Sequence, residues 1–373
     1  MWPKHKLQNQ AGYSMVELLV SLGMTIVISA ASFALFGSSM KFANATFHIT
    51  DAEQSLRNAH EVMNRDLTTA GDGLRGIGTI TAPLTFVNTF LTRTPVTCGS
   101  DPNYPCIGIV TSDDNIPTAT AVPKASVAVN FQPNSDRISM LTRDTTFNNG
   151  NGVSVLAGKI TVSGSNTLIN VGSTNIGLFQ ANEIYAIVSQ NSAAFGVVTG
   201  VNSGTFVITL ANNDGGFGLN QTTSTAPISV VSGVTSGAST QNVSILRYQI
   251  IQYFVDANGL LIRRVFGVSG GSFLDSVVAE HLTNLQFRYL TNLADANGFV
   301  KQPSRVLASS TEQSALREVE TAIGVETARA VNAVTNVNSS SNACGGSPNG
   351  KQSICSTTAT TVRNLQFRQA LSP

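Results

Sequence analysis

Residues 11–36 read AGYSMVELLVSLGMTIVISAASFALF. A short basic leader carrying Lys4 and Lys6 ends at Gly12, and an apolar run follows with one carboxylate, Glu17, near its start. From Leu18 to Met40 no residue is charged. At about 1.5 Å rise per residue those 23 positions make roughly 35 Å of helix, enough to cross a bilayer. An ionisable group at the edge of such a run is costly in hydrocarbon, so Glu17 needs a partner and is a functional candidate. An ordinary secretory signal has a shorter apolar core and is cut after it. Here no A-x-A-like site directly follows Phe36, and a plain single-pass anchor has no use for Glu17.

The helix should continue past the apolar run. Beyond Lys41, residues Phe42, Ala45, Ile49, Ala52, Leu56, Ala59 and Met63 alternate spacings of three and four, a narrow stripe on one helical face. The opposite face carries Asp51, Glu53, Arg57, Asn58, Glu61 and Arg65, and Gly71 and Gly73 end the pattern. One helix from Tyr13 to about Ala70 would hold 58 residues and run roughly 87 Å. The alternative is two helices broken near Gly37–Ser39.

From Ile77 onward the pattern changes to short β-like runs between turns, at 137–141, 183–189, 194–201, 205–210 and 229–234. Only Lys159, Glu183 and Asp214 are charged between Thr145 and Val243, which marks 145–243 as a neutral, β-rich enlargement. A smaller subdomain is bracketed between about Phe90 and Asn130. In RYQIIQYFVDANGLLIRRVFG, 247–267, two apolar runs flank an Asn-Gly turn, the strongest short hairpin signal. Residues 276–290 start helix-like and end as an alternating strand at Leu285, Phe287 and Tyr289. Strict alternation of Val319, Thr321, Ile323, Val325 and Thr327 predicts a strand over 316–329, and TTVRNLQFRQAL a final one.

Composition narrows the class. Charged residues make up 12% of the 373-residue chain, against roughly 25% in average soluble domains, while 42% are hydrophobic, so the chain is neither disordered nor highly charged. Without Lys4 and Lys6, 20 of its 22 basic side chains face 21 acidic ones, which gives no electrostatic case for nucleic-acid binding. Four cysteines allow three connectivities; the turn-rich spacers favour local disulfides, Cys98 with Cys106 and Cys344 with Cys355, in an oxidising compartment. Neither pair has zinc-ligand spacing.

The first 30 or so residues resemble the class III signal of type IV pilins and of type II secretion pseudopilins. That pattern has Gly before the cut, an apolar or aromatic first mature residue and Glu at the fifth, here Gly12, Tyr13 and Glu17. The order of hairpin, V-E-H-L-x-N-L-x-F-x-Y-like segment, alternating strand and terminal V-R-N-L is similar to PilW-type minor pilins and J-type pseudopilins. The resemblance implies an α+β, pilin-like fold, a long helix packed on an antiparallel sheet. Its parts would be a cleaved leader (1–12), a membrane and filament-core helix (13–40), an amphipathic continuation (41–70) and a β-rich extracytoplasmic domain (71–373). It further implies a prepilin peptidase that cuts after Gly12 and N-methylates Tyr13, where family members often carry Phe. Other major and minor pilins would be partners, with Glu17 setting axial register against a neighbour's terminus. The chain would sit in the inner membrane with its body in the periplasm, then on a pilus at the cell surface.

Catalysis is not indicated. His5 falls in the leader, His48 and His60 lie on the long helix, and His281 stands alone beside Glu280. No G-x-S-x-G, H-E-x-x-H or P-loop pattern is present. The two Asp-Ala-Asn-Gly turns, 256–259 and 295–298, lack the distal Glu of a calcium loop, and Asp113-Asp114 reads as exposed loop acids. No metal or cofactor is therefore expected. The leading expectation is a minor pilin that primes assembly at or near a pilus tip; the alternatives are a type II secretion pseudopilin and a tip adhesin whose 145–243 block binds a surface ligand.

Overall fold

The computed structural model describes residues 12–74, 79–88, 96, 101–116, 131–267, 274–331 and 350–362, apart from 191, 213, 215–216, 222, 224 and 235–236. Helix α1 spans Met15–Thr69. Strands β1 (Thr79–Thr81), β2 (Cys106–Gly108), β3 (Val110–Asp113) and β4 (Arg137–Arg143) follow, with a single turn, α2 (Leu84–Phe86), between the first two. Next come β5 (Val153–Val155), β6 (Ile160–Ser163), β7 (Asn166–Asn170), β8 (Ile184–Val188), β9 (Ala193–Val197), β10 (Gly200–Asn202) and β11 (Val207–Ala211). After a short helix α3 (Pro227–Ser232) the chain forms β12 (Val243–Val255), β13 (Leu261–Phe266), β14 (Leu274–Ala279) and β15 (Leu282–Thr291). It closes with α4 (Ser310–Ala315), β16 (Leu316–Glu326) and β17 (Ser353–Thr361). The fold is α+β, one long helix followed by antiparallel sheets.

α1 is unbroken for 55 residues, about 82 Å, and passes Gly37–Ser39 without interruption. It ends where Gly71 takes φ +74°; a Cβ there would meet the Ile109 side chain at 2.7 Å, so both the turn and the close approach require glycine. The predicted stripe packs as expected at Ala45, Ala52, Leu56, Ala59 and Met63, continues to Leu67, and leaves Ile49 half-buried. Phe42 departs from it and is 62% exposed, because the body's packing surface reaches no further than Ala45.

The thirteen-residue β12 organises the rest. Its second half, Tyr248–Val255, lies between β4 and β13 in the sheet order β14-β13-β12-β4-β3. Its first half pairs with β5 and β8. The β8–β9 hairpin is buried on both faces. Ile184, Ala186, Phe195 and Val197 point into the core that holds α1, whereas Tyr185, Ile187 and Ala194 point into a second core. This two-sided burial explains the continuous apolar run Ile184–Val188. The second core is closed by α3 and the sheet β10-β11-β7-β6, so the neutral 145–243 block is a layer mounted behind the helix-bearing body. At the hand-over, Arg247 reaches Asp144 at 2.8 Å and Glu183 at 3.1 Å.

Three local expectations are corrected. Residues 229–234 form no strand; Pro227 at the first helical position and Gly233 at φ +68° frame α3. Residues 276–279 do not begin a helix but pair as β14 with β13, and the turn falls at His281, φ +61°. The last described strand, β17, starts upstream of TTVRNLQFRQAL, most of which (363–371) lies outside the described residues, as does most of the Phe90–Asn130 segment. The 247–267 hairpin and the strand at 316–326 form as read.

Candidate assembly and processing site

Helix α1 divides by what surrounds it. From Tyr13 to Asn44 no side chain is buried, and the large apolar residues between Met15 and Met40 are 53–83% exposed. This is one helix long and apolar enough to cross a membrane, near the N-terminus. From Ala45 on, the helix lies across β14, β16, β17 and β4.

At the exposed end, Ser14 is the N-cap. Its hydroxyl accepts from the Val16 N–H at 3.3 Å, and the Glu17 carboxylate accepts from the Ser14 N–H at 3.1 Å. That is a reciprocal capping box, so Glu17 is engaged by its own chain. The S-x-x-E spacing at 14–17 could have revealed it. Gly12 and Tyr13 precede the helix, and Tyr13 is 87% exposed. A Cβ on Gly12 would meet nothing within 4 Å, so no contact among the described residues calls for glycine at this position.

At the packed end, polar contacts fix the helix to the strands. Asp66, buried in the last turns, accepts from the Tyr253 hydroxyl and from Arg263 Nε, both at 2.6 Å. Burial works against the charge on Arg263, but the bond and charge of Asp66 outweigh it and hold the guanidinium above its ordinary value. Burial first, then the Asp66 charge, push the Tyr253 phenol up. Asn58 donates to the Val278 carbonyl of β14 at 2.5 Å. On the other flank His60 meets the Thr358 hydroxyl at 2.8 Å and Asn64 accepts from Thr360. Burial lowers the His60 imidazole below its ordinary value. No local sequence pattern marks these anchors; Asn58, on the face opposite the apolar stripe, is tied to β14.

Cys106 and Cys355 are both disulfide-bonded, whereas Cys98 and Cys344 lie outside the described residues. The Asp256 and Asp295 carboxylates hold their own turns: Asp256 accepts from the Asn258 and Leu260 amides, Asp295 from those of Asn297 and Phe299. Asp113 is no loop acid, since it ends β3 in an ion pair with buried Arg137 at 2.8 Å. Burial, and secondarily the charge of Asp114, raise Asp136 to about 6. Among the described residues no three His, Cys, Asp or Glu side chains gather as metal ligands. The arrangement offers a covered anchor and an uncovered apolar helix.

No family model matches the chain, and no curated protein does. Among solved structures, a type IV-like pilin from Thermus thermophilus aligns at 16% identity over 32% of this chain and 66%, just under two thirds, of that one. The TM-score is 0.20, a loose likeness.

Proposed function

We propose that the chain is a subunit of a type IV pilus-like filament, a minor pilin that primes assembly at or near the tip. A prepilin peptidase cuts it after Gly12 and methylates the new Tyr13 amine. The observation that carries this reading is the division of one unbroken helix. Its second half is locked into the body by Asp66, His60 and Asn58, and its first half is apolar, uncovered and preceded by an accessible Gly12–Tyr13 bond. Before assembly the uncovered half rests in the membrane; afterwards it packs among equivalent helices of other pilins. Glu17, satisfied by Ser14 in the free subunit, exchanges that partner for the terminal amine of a neighbour and so sets register more than it adds stability. The 145–243 layer lies behind the body, and a subunit at the tip has room for it.

The test is the N-terminal peptide mass of the chain expressed with and without a prepilin peptidase. A peptidase-dependent terminus at Tyr13 is expected, with or without an added methyl. An intact leader, or a cut beyond Phe36, would overturn the reading.

A further inference from the structure

We propose that Ser14 is a positioning residue for the processing step, one that keeps the Gly12 carbonyl free for attack by holding the amide a helix would give it. This rests on the reading that the chain is cut after Gly12. In an α-helix each N–H bonds the carbonyl four residues back. Were α1 to extend one turn toward its N-terminus, the Val16 N–H would bond the Gly12 carbonyl, the acyl half of the scissile peptide. In the structure that N–H is taken by the Ser14 hydroxyl at 3.3 Å. The first intrahelical bond is instead Leu18 N–H to the Ser14 carbonyl, 3.1 Å.

Ser14 itself is extended, φ −64° and ψ 142°, which turns the chain out of the helical path immediately after the bond to be cut. The Glu17 carboxylate takes the Ser14 N–H, a donor that a helix longer by a full turn would send to the carbonyl of residue 10, so both halves of the box oppose extension. Gly12 adds to this as a poor helix residue. No side chain of the described residues covers the peptide: Gly12 has open space around it and Tyr13 is exposed. A protease must reach both faces of a carbonyl and distort the bond toward a tetrahedral centre. A carbonyl already bonded inside a helix, with its flanking dihedrals fixed, is a poor substrate. The scissile bond is thus offered because the helix is capped two residues beyond it.

The test measures initial rates of Tyr13 N-terminus formation by mass spectrometry, using the full-length chain in membranes with a prepilin peptidase. Wild type is compared with Ser14→Asn, Ser14→Thr, Ser14→Gly and Ser14→Ala. Cap preference runs Asn and Ser, then Thr and Gly, then far behind Ala. Rates are expected in that order, with Ser14→Asn within about twofold of wild type and Ser14→Ala slowed roughly fivefold, the typical effect of losing a cap. If wild type is cut and Ser14→Ala is cut equally fast, the inference falls and the processing reading stands. It falls as well if only Ser14→Thr is cut at the wild-type rate while Ser14→Asn and Ser14→Gly are as slow as Ser14→Ala, since the enzyme would then be reading the hydroxyl itself. If wild type is not cut, both fall together.

Discussion

The two halves of α1 share one backbone geometry and differ in who buries them. Between Ala45 and Thr69 the body covers a stripe of small and medium side chains, and Asp66, His60 and Asn58 tie the helix to strands on either side. Between Met15 and Met40 the side chains are larger and more apolar, yet no described part of the body covers them. Apolar content alone therefore does not predict burial within a chain. The packed half is built for a fixed partner with cross-links at set positions; the bare half is long and apolar enough to cross a membrane.

The comparison can be broken most severely at Asp66. Asp66→Ala would leave Arg263 and the Tyr253 hydroxyl without their shared acceptor, and is expected to cost the body about 3–4 kcal/mol, read as a lower urea midpoint. Met63→Ala, which empties a 1%-exposed site between helix and sheet, should cost about 3 kcal/mol in the same assay. A smaller effect sits at His60. Its folded pKa lies below the ordinary 6.5, so the native state holds the imidazole neutral. Stability from this group is complete above pH 6.5 and is lost as pH falls from there toward the lowered folded value. Urea titrations across that window should show the loss in wild type and its absence in His60→Gln. The smallest effect sharpens the contrast from the other side. Val27→Ala should move the body's unfolding midpoint by less than about 0.5 kcal/mol, because Val27 contributes to no core of its own chain. A large shift there would mean that the bare half folds back on the body.

The halves differ in legibility for the same reason. The bare half is a one-dimensional signal, and so is the stripe, whose period is visible without knowing the partner. Turn chemistry at Asp256–Gly259 and alternation at 316–326 were equally local. The anchors were not: Asp66 meets Tyr253 and Arg263 across 187 and 197 residues, and no pattern near position 66 announces it. Residues 229–234 carry the β-branched content of a strand, but Pro227 and Gly233 bracket a helical turn there and decide the conformation. The 145–243 block was visible by its lack of charge, but its division from the main core runs through alternate residues of β8 and β9. Of the proposed processing site, Gly12, Tyr13 and Glu17 stand out in sequence; the S-x-x-E spacing that begins at Ser14 is legible too, and its two hydrogen bonds show that the cap forms.

β12 gives the molecule a mechanical character. A pull on α1 and an opposing pull on the 145–243 layer meet on the same thirteen-residue strand, held along its second half by β4 and β13 and along its first by β5 and β8. Tension applied along that strand loads its ladders in shear, where many hydrogen bonds must fail together, instead of peeling them open one after another. The rear layer and the helix-bearing body are in this sense spliced, so that the chain under tension would stretch as one piece before it came apart as two.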